Sequence, residues 1–412
     1  MKILWVKAGG LVPPQIGGKI RSYHILRELA KSHSVTLFTF YAAHPNDLHP
    51  QLKGAFDRVV YCPLKISSDR GLGELAGFLL NIFSSWPHSV SKYCRFEAQA
   101  RFREVLKSDS YDAIICDFVF AASVIPWDET SCPKLLFTHN VEALIWKRHF
   151  EVSRNPLWKL VCWGEYQKML RFERSCLAKS SHVLTVSEAD RIFFSRFIDP
   201  SKMTVISTGV DTNYFLPSTE EETPDSLVFT GAMDWMPNED GVIHFLHSIL
   251  PLIRREIPNV TFTVVGRNPS DTLRAKARQI PGVQVTGTVE DIRPYVRSAS
   301  VYVVPLRIGS GTRLKIFEAM AMGKAMVSTK LGAEGLPVTD GYNLLLAEAP
   351  EDFAQKIVLL LRDPALRKSL GLRSRQLVEE HYSWAMVAAE FDAVLQSMTR
   401  VQESLCATGT DR

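Results

Sequence analysis

The chain has 412 residues, too many for one ordinary hydrophobic core, so two domains are expected. Its hydrophobic fraction of 46% and charged fraction of 22% are those of a globular protein and exclude a disordered, collagen-like or coiled-coil chain. The net charge of +4 is too small to indicate a nucleic-acid-binding protein. That charge is unevenly distributed, because residues 1–210 carry net +8 and residues 211–412 carry net −4.

The first half of the sequence alternates strands with helices. Residues 3–6 predict a buried strand, residues 8–18 a glycine-rich loop, and the apolar spacing from Lys19 onwards a helix. Further strands are predicted at 35–40, 113–116, 135–138 and 182–186. Such alternation predicts an open parallel sheet with helices on both faces.

A polar, acidic stretch flanked by prolines at 217–224 predicts an exposed linker between two domains. Beyond it the alternation restarts, with strands predicted at 226–230, 260–265, 283–285, 300–304 and 325–328. The sequence therefore predicts two doubly wound, Rossmann-like α/β domains at 1–216 and 225–381. A helix at about 382–400 is expected to pack back on the first domain, and a disordered tail is expected at 401–412.

The strongest chemical signal is the segment 305–324, which reads PLRIGSGTRLKIFEAMAMGK. It follows a strand, turns through two glycines and enters a helix at about Thr312, so its backbone N–H groups can approach an anion. Arg313 and Lys315 add two positive charges to that turn. Glu318 would repel a phosphate but suits ribose hydroxyls, so the segment predicts a nucleoside-diphosphate site. The alternative is a plain strand–loop–helix connection with capping glycines.

This segment, together with VST at 327–329 and GAEGL at 332–336, resembles the donor-site signature of glycosyltransferase family 4. The glycine pair at 17–18 and the sequence THNVE at 138–142 occur in the family's order, and the resemblance covers most of the chain. It implies the GT-B fold, in which two Rossmann-like domains face a cleft. It also implies a retaining nucleotide-sugar glycosyltransferase of the type called glycosyl transferases group 1.

The resemblance also implies roles for individual residues. Glu318 would bind the nucleotide ribose, and Arg313 and Lys315 would neutralise the donor diphosphate. His139 follows a predicted strand and would line the sugar side of the cleft as a catalytic residue, the alternative being a capping or packing role. The implied donor-binding residues are Gly17, Gly18, Gly231, Val289, Ser310, Gly311, Thr312 and Glu334.

The sequence departs from the family pattern at two places. Ser310 stands where the family has a first glutamate, eight residues before Glu318, so recognition of the sugar is expected to differ. The loop at 231–238 lacks the Arg and Lys that many members carry there, and we expect Arg313 and Lys315 to take over their role. No Asp-x-Asp triplet occurs, so neither a metal ion nor another cofactor is expected.

The acceptor side is marked by residues 146–179, which contain eight basic and three acidic residues among several aromatic ones. This pattern suits a membrane interface or a lipid-phosphate acceptor, and the alternative is a solvated helix face with an ordinary buried stripe. Residues 73–86 predict a second amphipathic contact or a helix covering the first domain. The expected partners are a nucleotide-sugar donor and a glycan or lipid-linked acceptor, and no nucleic acid.

The seven cysteines show no metal-binding or paired spacing, and no apolar run is long enough to span a membrane. We therefore expect a cytoplasmic enzyme, with membrane association on the cytoplasmic face. It would serve polysaccharide or glycoconjugate biosynthesis. The alternatives are a GT-B nucleotide-sugar epimerase and a catalytically degenerate nucleotide-sugar-binding subunit. A dinucleotide-dependent oxidoreductase is poorly supported, because neither glycine loop has the GxGxxG pattern.

Overall fold

The computed structural model divides the chain into two compact units. One comprises Met1–Ser207 with Val387–Arg412, and the other comprises Thr208–Met386. The structure describes residues 1–14, 17–41, 52, 54–64, 77–78, 81, 84–153, 155–218, 220–308 and 314–409. Most of the predicted segment 73–86 therefore lies outside the described residues.

The first unit is built on a sheet of seven strands, and every neighbouring pair is parallel. The strands are β1 Lys2–Lys7, β2 Ser34–Tyr41, β3 Arg58–Pro63, β4 Ala113–Asp117, β5 Lys134–Phe137, β6 His182–Thr185 and β7 Met203–Val205. They lie in the order β3-β2-β1-β4-β5-β6-β7. The order reverses between β1 and β4, and doubly wound sheets bind ligands at the carboxyl ends beside such a reversal.

Helices connect these strands. They are α1 Gly17–Leu29, α2 His88–Ser91, α3 Phe96–Ser108, α4 Glu142–Val152, α5 Pro156–Lys179 and α6 Glu188–Phe194, with 3₁₀ turns at Val119–Val124 and Pro200–Lys202. The central strands β1 and β4 are apolar except at their ends, with Lys7 and Asp117 at the carboxyl ends, and all five residues of β4 are buried, as expected for a sheet covered on both faces.

The second unit repeats this plan with six parallel strands in the order β10-β9-β8-β11-β12-β13. Its strands are β8 Thr223–Thr230, β9 Thr261–Val265, β10 Val283–Val285, β11 Ala299–Val304, β12 Met326–Ser328 and β13 Leu345–Leu346. Its helices are α7 Met236–His244, α8 Leu250–Glu256, α9 Asp271–Arg278, α10 Arg293–Ser298, α11 Leu314–Ala321, α12 Pro350–Arg362 and α13 Pro364–His381, with a π-helical turn at Phe245–Ile249. The prediction of two doubly wound α/β sheets is confirmed.

The last helix, α14 Trp384–Gly409, begins in the second unit and belongs to the first from Val387 onwards. Phe391 stacks on Trp5 with ring centroids 5.4 Å apart. The segment predicted as a tail at 401–412 is helical as far as Gly409, because it contains good helix formers and no proline. Within the described ranges, no helix combines the length and apolar character needed to cross a membrane.

The predicted linker at 217–224 differs from the division that the structure shows. The units divide between Ser207 and Thr208, and β8 already begins at Thr223. Glu222 accepts hydrogen bonds from Lys324 Nζ at 2.5 Å and from Arg367 Nε at 3.1 Å. The acidic stretch is thus tied into the second unit by basic partners that lie far away in the sequence.

Gly266, directly after β9, lets two loops of the second unit approach each other. A Cβ atom at this position would lie 1.7 Å from the carbonyl oxygen of Gly231, which leaves no room for any side chain. The N–H of Gly231 donates to the carbonyl of Val265 at 2.9 Å, which fixes the start of the loop after β8. The path of that loop therefore depends on glycine at 266.

We predict that Gly266→Ala lowers the free energy of unfolding by about 1–3 kcal/mol, because the backbone of Gly231 must move to admit the methyl group. Urea unfolding followed by circular dichroism measures the change. Gly164→Ala in α5 is the matched control, since a Cβ there meets no atom within 4 Å. It should raise stability by about 1 kcal/mol through helix propensity. Equal midpoints for the two variants would contradict the argument.

Candidate functional site

Asp117 is the centre of a buried polar network in the first unit. It ends β4 and accepts hydrogen bonds from Trp5 Nε1 at 2.8 Å, Lys7 Nζ at 3.3 Å and His139 Nε2 at 2.7 Å. Burial acts to raise the pKa of Asp117, but the charge on Lys7 and the hydrogen bonds it accepts lower that pKa to about 2. Asp117 is therefore an ionised carboxylate at the carboxyl ends of β1 and β4.

The ring of His139 is held between two charged partners. Its Nδ1 atom lies 2.9 Å from Arg21 Nη1, and a guanidinium can only donate. Nδ1 must therefore accept, which places the ring proton on Nε2, where it is donated to Asp117. Burial lowers the pKa of His139 to about 3, in agreement with a neutral imidazole.

These contacts define how His139 can act. The side chain is buried, both of its ring nitrogens are engaged within the first unit, and its ring stacks on Phe118 at 4.1 Å between centroids. With both nitrogens bonded, the ring itself can meet a ligand only through its carbon edge. The catalytic role implied for His139 remains a prediction, and proton transfer through its nitrogens does not fit this geometry.

The start of helix α1 lies on this network. A Cβ atom on Gly18 would lie 2.8 Å from Phe118 Cζ and 3.5 Å from His139 Nδ1, so glycine permits the close contact. Phe118 itself has a φ of 69°, a conformation that is unfavourable for a bulky side chain and is held here by its surroundings.

Two basic side chains of this network are buried. Burial lowers the pKa of Arg21 to about 10, which leaves its guanidinium charged at neutral pH. Burial also lowers the pKa of Lys7, although the Asp117 carboxylate beside it acts in the opposite direction. The charged guanidinium of Arg21 belongs to the same helix as Gly17 and Gly18, and the start of a helix favours an anionic ligand.

In the second unit, Lys315 lies at the carboxyl end of β8. Its Nζ atom donates to Asn238 Oδ1 at 2.6 Å and lies 4.1 Å from the ring centroid of Phe229. A Cβ atom on Gly231 would lie 2.7 Å from the same Nζ. The structure thus places the Lys315 ammonium at the loop 231–238, which has no Lys or Arg of its own.

Asn238 is a member of this site that the sequence did not single out. Its side chain is buried in the first turn of α7, where Nδ2 donates to the carbonyl of Ala232 at 2.8 Å while Oδ1 accepts from Lys315. The amide therefore joins the loop after β8 to helix α11. An Asn near a helix start is usually a cap, so its sequence position gave no separate signal.

Glu318 lies one helical turn after Lys315 on α11. Burial raises the pKa of Glu318 to about 7, although the charge on Lys315 acts in the opposite direction. Burial, and to a lesser extent the Glu318 charge, raise the pKa of Tyr302, whose hydroxyl contacts Thr230 Oγ1 at 2.6 Å. The carboxyl group thus changes between hydrogen-bond acceptor and donor near neutral pH.

The remaining predicted donor-binding residues come from segments other than the loop 231–238 and helix α11. Val289 is partly buried against the core of the second unit, and Glu334 is exposed in the turn after β12. Thr329 orders that turn, because its Oγ1 donates to Leu306 O at 2.6 Å and accepts from Gly332 N at 2.8 Å. Four of the predicted site residues lie outside the described ranges, namely Ser310, Gly311, Thr312 and Arg313.

The second unit therefore brings Gly231, Asn238, Lys315 and Glu318 together, while Val289 and Glu334 follow other strands of the same sheet. The arrangement offers one cation and one titrating carboxyl at a loop-rich sheet edge. Among the residues that the structure describes, no group of three or more His, Cys, Asp or Glu side chains is placed to hold a metal ion.

We predict that the ring of His139 does not titrate between about pH 5 and 8, because its pKa is lowered to about 3 by burial. Nitrogen-15 NMR of histidine-labelled protein should show a proton fixed on Nε2, and the His139→Gln spectrum identifies the signal. A ring that gains a second proton near pH 6.5 would contradict the assigned hydrogen bonds.

Comparison with known proteins agrees with this architecture. Two family models match the chain, Glycosyltransferase Family 4 over residues 17–214 and Glycosyl transferases group 1 over residues 224–363. A Klebsiella pneumoniae protein described as an uncharacterized 44.6 kDa protein in the cps region is 22% identical, over 92% of this chain and 96% of its own length.

Solved structures show the same fold. Sucrose-phosphate synthase from Thermosynechococcus elongatus superposes with a TM-score of 0.68 at 17% identity, over 97% of this chain and 99% of that one. Anabaena HepE, solved in complex with UDP and glucose, gives a TM-score of 0.64 at 16% identity, over 96% of this chain and 100% of that one. With both halves matched in order, the chain belongs to glycosyltransferase family 4 and is a transferase with the GT-B fold.

Proposed function

We propose that this enzyme transfers a sugar from a nucleoside-diphosphate sugar to a hydroxyl group of a glycan or glycolipid, with retention of configuration. The observation that carries the proposal is the position of Lys315 at the carboxyl end of β8, beside the glycine loop at 231–238, with Glu318 one turn later on the same helix and within its electrostatic influence. A cation for a diphosphate and a carboxylate for a ribose are the two groups that a nucleotide donor requires. HepE, of the same fold, was solved with UDP and glucose.

In this proposal Lys315 stabilises the departing diphosphate. The bond between the anomeric carbon and the diphosphate oxygen breaks while the acceptor hydroxyl bonds to the same face of that carbon. The hydroxyl proton passes to the departing phosphate oxygen, so no protein carboxylate has to act as base. Preorganised positive charge near the leaving oxygen lowers the barrier because the negative charge increases there during the reaction.

The other predicted groups support the same donor. Arg313, with Ser310, Gly311 and Thr312, precedes α11 in the sequence and would add charge and backbone N–H groups to the diphosphate. Gly17 and Gly18 would contribute backbone N–H groups from the first unit, where the start of a helix and the charged Arg21 guanidinium favour an anion. The proposed set of donor-binding residues is completed by Glu334, Gly231 and Val289. Of these, Val289 would lie near the nucleotide base.

We further propose a cytoplasmic enzyme of polysaccharide or glycoconjugate biosynthesis that meets a lipid-linked acceptor at the membrane surface, without a metal ion or other cofactor. The net charge of +8 on residues 1–210 supports an anionic acceptor or surface, because positive charge attracts anions. The half that we propose binds the donor carries net −4, so the positive excess is confined to the first half.

The donor class can be tested by thermal shift with UDP, GDP and ADP. A ligand present at about 100 times its Kd stabilises the folded protein by about 2.7 kcal/mol, so one nucleotide should raise the melting temperature selectively. Transfer is then assayed with the corresponding sugar nucleotides and a panel of glycan and lipid acceptors. A changed sugar in the absence of acceptor would instead indicate epimerisation, and binding without turnover a degenerate subunit.

We predict that Lys315→Met lowers kcat by about 10²–10³, because it removes one preorganised charge from the leaving group. Lys330→Met is the control, since Lys330 is an exposed lysine of the same unit. Asn238→Ala should give a smaller loss, because the ammonium remains but its Oδ1 partner is removed. Turnover of Lys315→Met equal to that of the control would remove Lys315 from the reaction.

We predict that kcat/KM for the donor falls as the pH decreases below about 7, because the pKa of Glu318 is raised to about 7 by burial and the protonated carboxyl is a poorer acceptor for ribose hydroxyls. The profile is measured between about pH 5 and 9. Glu318→Gln should have low activity without this acidic limb. Retention of the limb in the variant would assign it to another group.

A further inference from the structure

The outer face of helix α5 carries apolar side chains that no part of the described chain covers. Asn155 caps the helix by accepting a hydrogen bond from the N–H of Leu157 at 3.0 Å, so the first turn is well formed. Leu157, Leu160 and Trp163 follow at intervals of three residues, with exposed fractions of 76%, 70% and 44%. Three large apolar side chains on one helix face form a patch rather than scattered exposure.

The same face becomes basic in the later turns. Arg171 and Arg174 are exposed, and at about 100° per residue they lie on the side of the helix that carries Leu160 and Trp163. The residues buried in α5 lie on the opposite side and include Cys162 and Met169. The outer face thus divides along its length into an apolar part and a cationic part.

Both carboxylates of α5 point inward and are used there. Glu165 Oε2 accepts from the N–H of His88 at 2.7 Å. Glu173 accepts from the N–H groups of Glu142 at 2.8 Å and Ala143 at 3.2 Å, at the start of α4. Every residue of α5 is described, and its outer face keeps no carboxylate to offset the arginines.

The aromatic residues of this region fall into two groups, those packed in the interior and one that remains partly exposed. Trp158 and Trp146 pack against Phe78, with ring centroids 5.4 and 5.6 Å apart, and therefore belong to the interior. Trp163 packs on Phe150 at 5.3 Å but keeps almost half of its surface exposed. The core of the unit is thus complete without the outer leucines and the exposed edge of Trp163.

We propose that this face of α5 lies on an anionic lipid bilayer. Leu157, Leu160 and Trp163 enter the boundary between headgroups and acyl chains, and Arg171 and Arg174 contact lipid phosphates. Interfacial helices combine leucine and tryptophan on one part with basic residues on another, and tryptophan favours this depth. Charge complementarity favours lipid over a second copy of this chain, because two such faces would bring arginines together.

This inference deepens the proposed function, on which it rests for the lipid-linked acceptor, and names the surface that would meet the membrane. The full-length protein is tested by flotation with vesicles of phosphatidylcholine alone and of phosphatidylcholine mixed with phosphatidylglycerol. We expect flotation only with the anionic vesicles. Leu157→Ser with Leu160→Ser should weaken binding about tenfold or more, and Arg171→Gln with Arg174→Gln should remove the preference for anionic lipid.

The controls are exposed residues of the second unit. Leu372→Ser removes an exposed leucine, and Arg255→Gln with Arg278→Gln removes two exposed arginines. Far-UV circular dichroism verifies folding, and transfer to a short acceptor without a lipid chain should be unchanged in all variants. That assay separates a failed membrane surface from a failed transferase assignment.

Several outcomes would overturn the proposal. The first is that the α5 variants float with vesicles as well as the controls do. The others are that the unaltered protein binds both vesicle types equally, or binds neither. A lower molecular mass of the leucine variant in lipid-free solution would assign the face to self-association instead, and would also overturn it.

Discussion

Parallel pairing of every strand is the constraint on which both units depend. It places all carboxyl ends of a sheet at one edge, so residues distant in sequence become neighbours there without any local signal. Asp117 and His139 meet at the edge of the first sheet for this reason. Lys315 reaches Asn238 at the edge of the second, although 77 residues separate them. The buried polar contacts of the two units are therefore concentrated at two sheet edges.

The buried carboxyl groups at the two sheet edges are stabilised in different ways. In the first unit, the Asp117 carboxylate is satisfied by three donors, which makes it a fixed charge that holds Lys7 and the His139 ring. In the second unit, the Glu318 carboxyl has one nearby cation and a pKa raised to about 7 by burial. The first arrangement is a rigid support, and the second is a group whose hydrogen bonding can respond to a ligand.

Local patterns in the sequence predicted the two sheets, and they also indicated the segment in which we propose the donor site. Runs of apolar residues indicate buried strands, and glycines before a helix allow backbone N–H groups to approach an anion, so both features can be predicted from the sequence alone. The hydrogen-bond network around Asp117 could not be predicted from the sequence, because its members come from separate strands and helices. The hydrogen bonds to both nitrogens of His139 likewise exist only when Arg21 and Asp117 are brought beside it.

The path of helix α14 has a consequence for the order in which the protein can fold on the ribosome. Phe391 completes the core around Trp5 and Phe137, with ring centroids 5.4 and 5.3 Å away, yet it is made only after the whole second unit. The second unit is continuous in sequence from Thr208 to Met386, so all of its strands are available before Phe391 is added. The first unit, although begun before the second, keeps an open core until translation has passed the second unit.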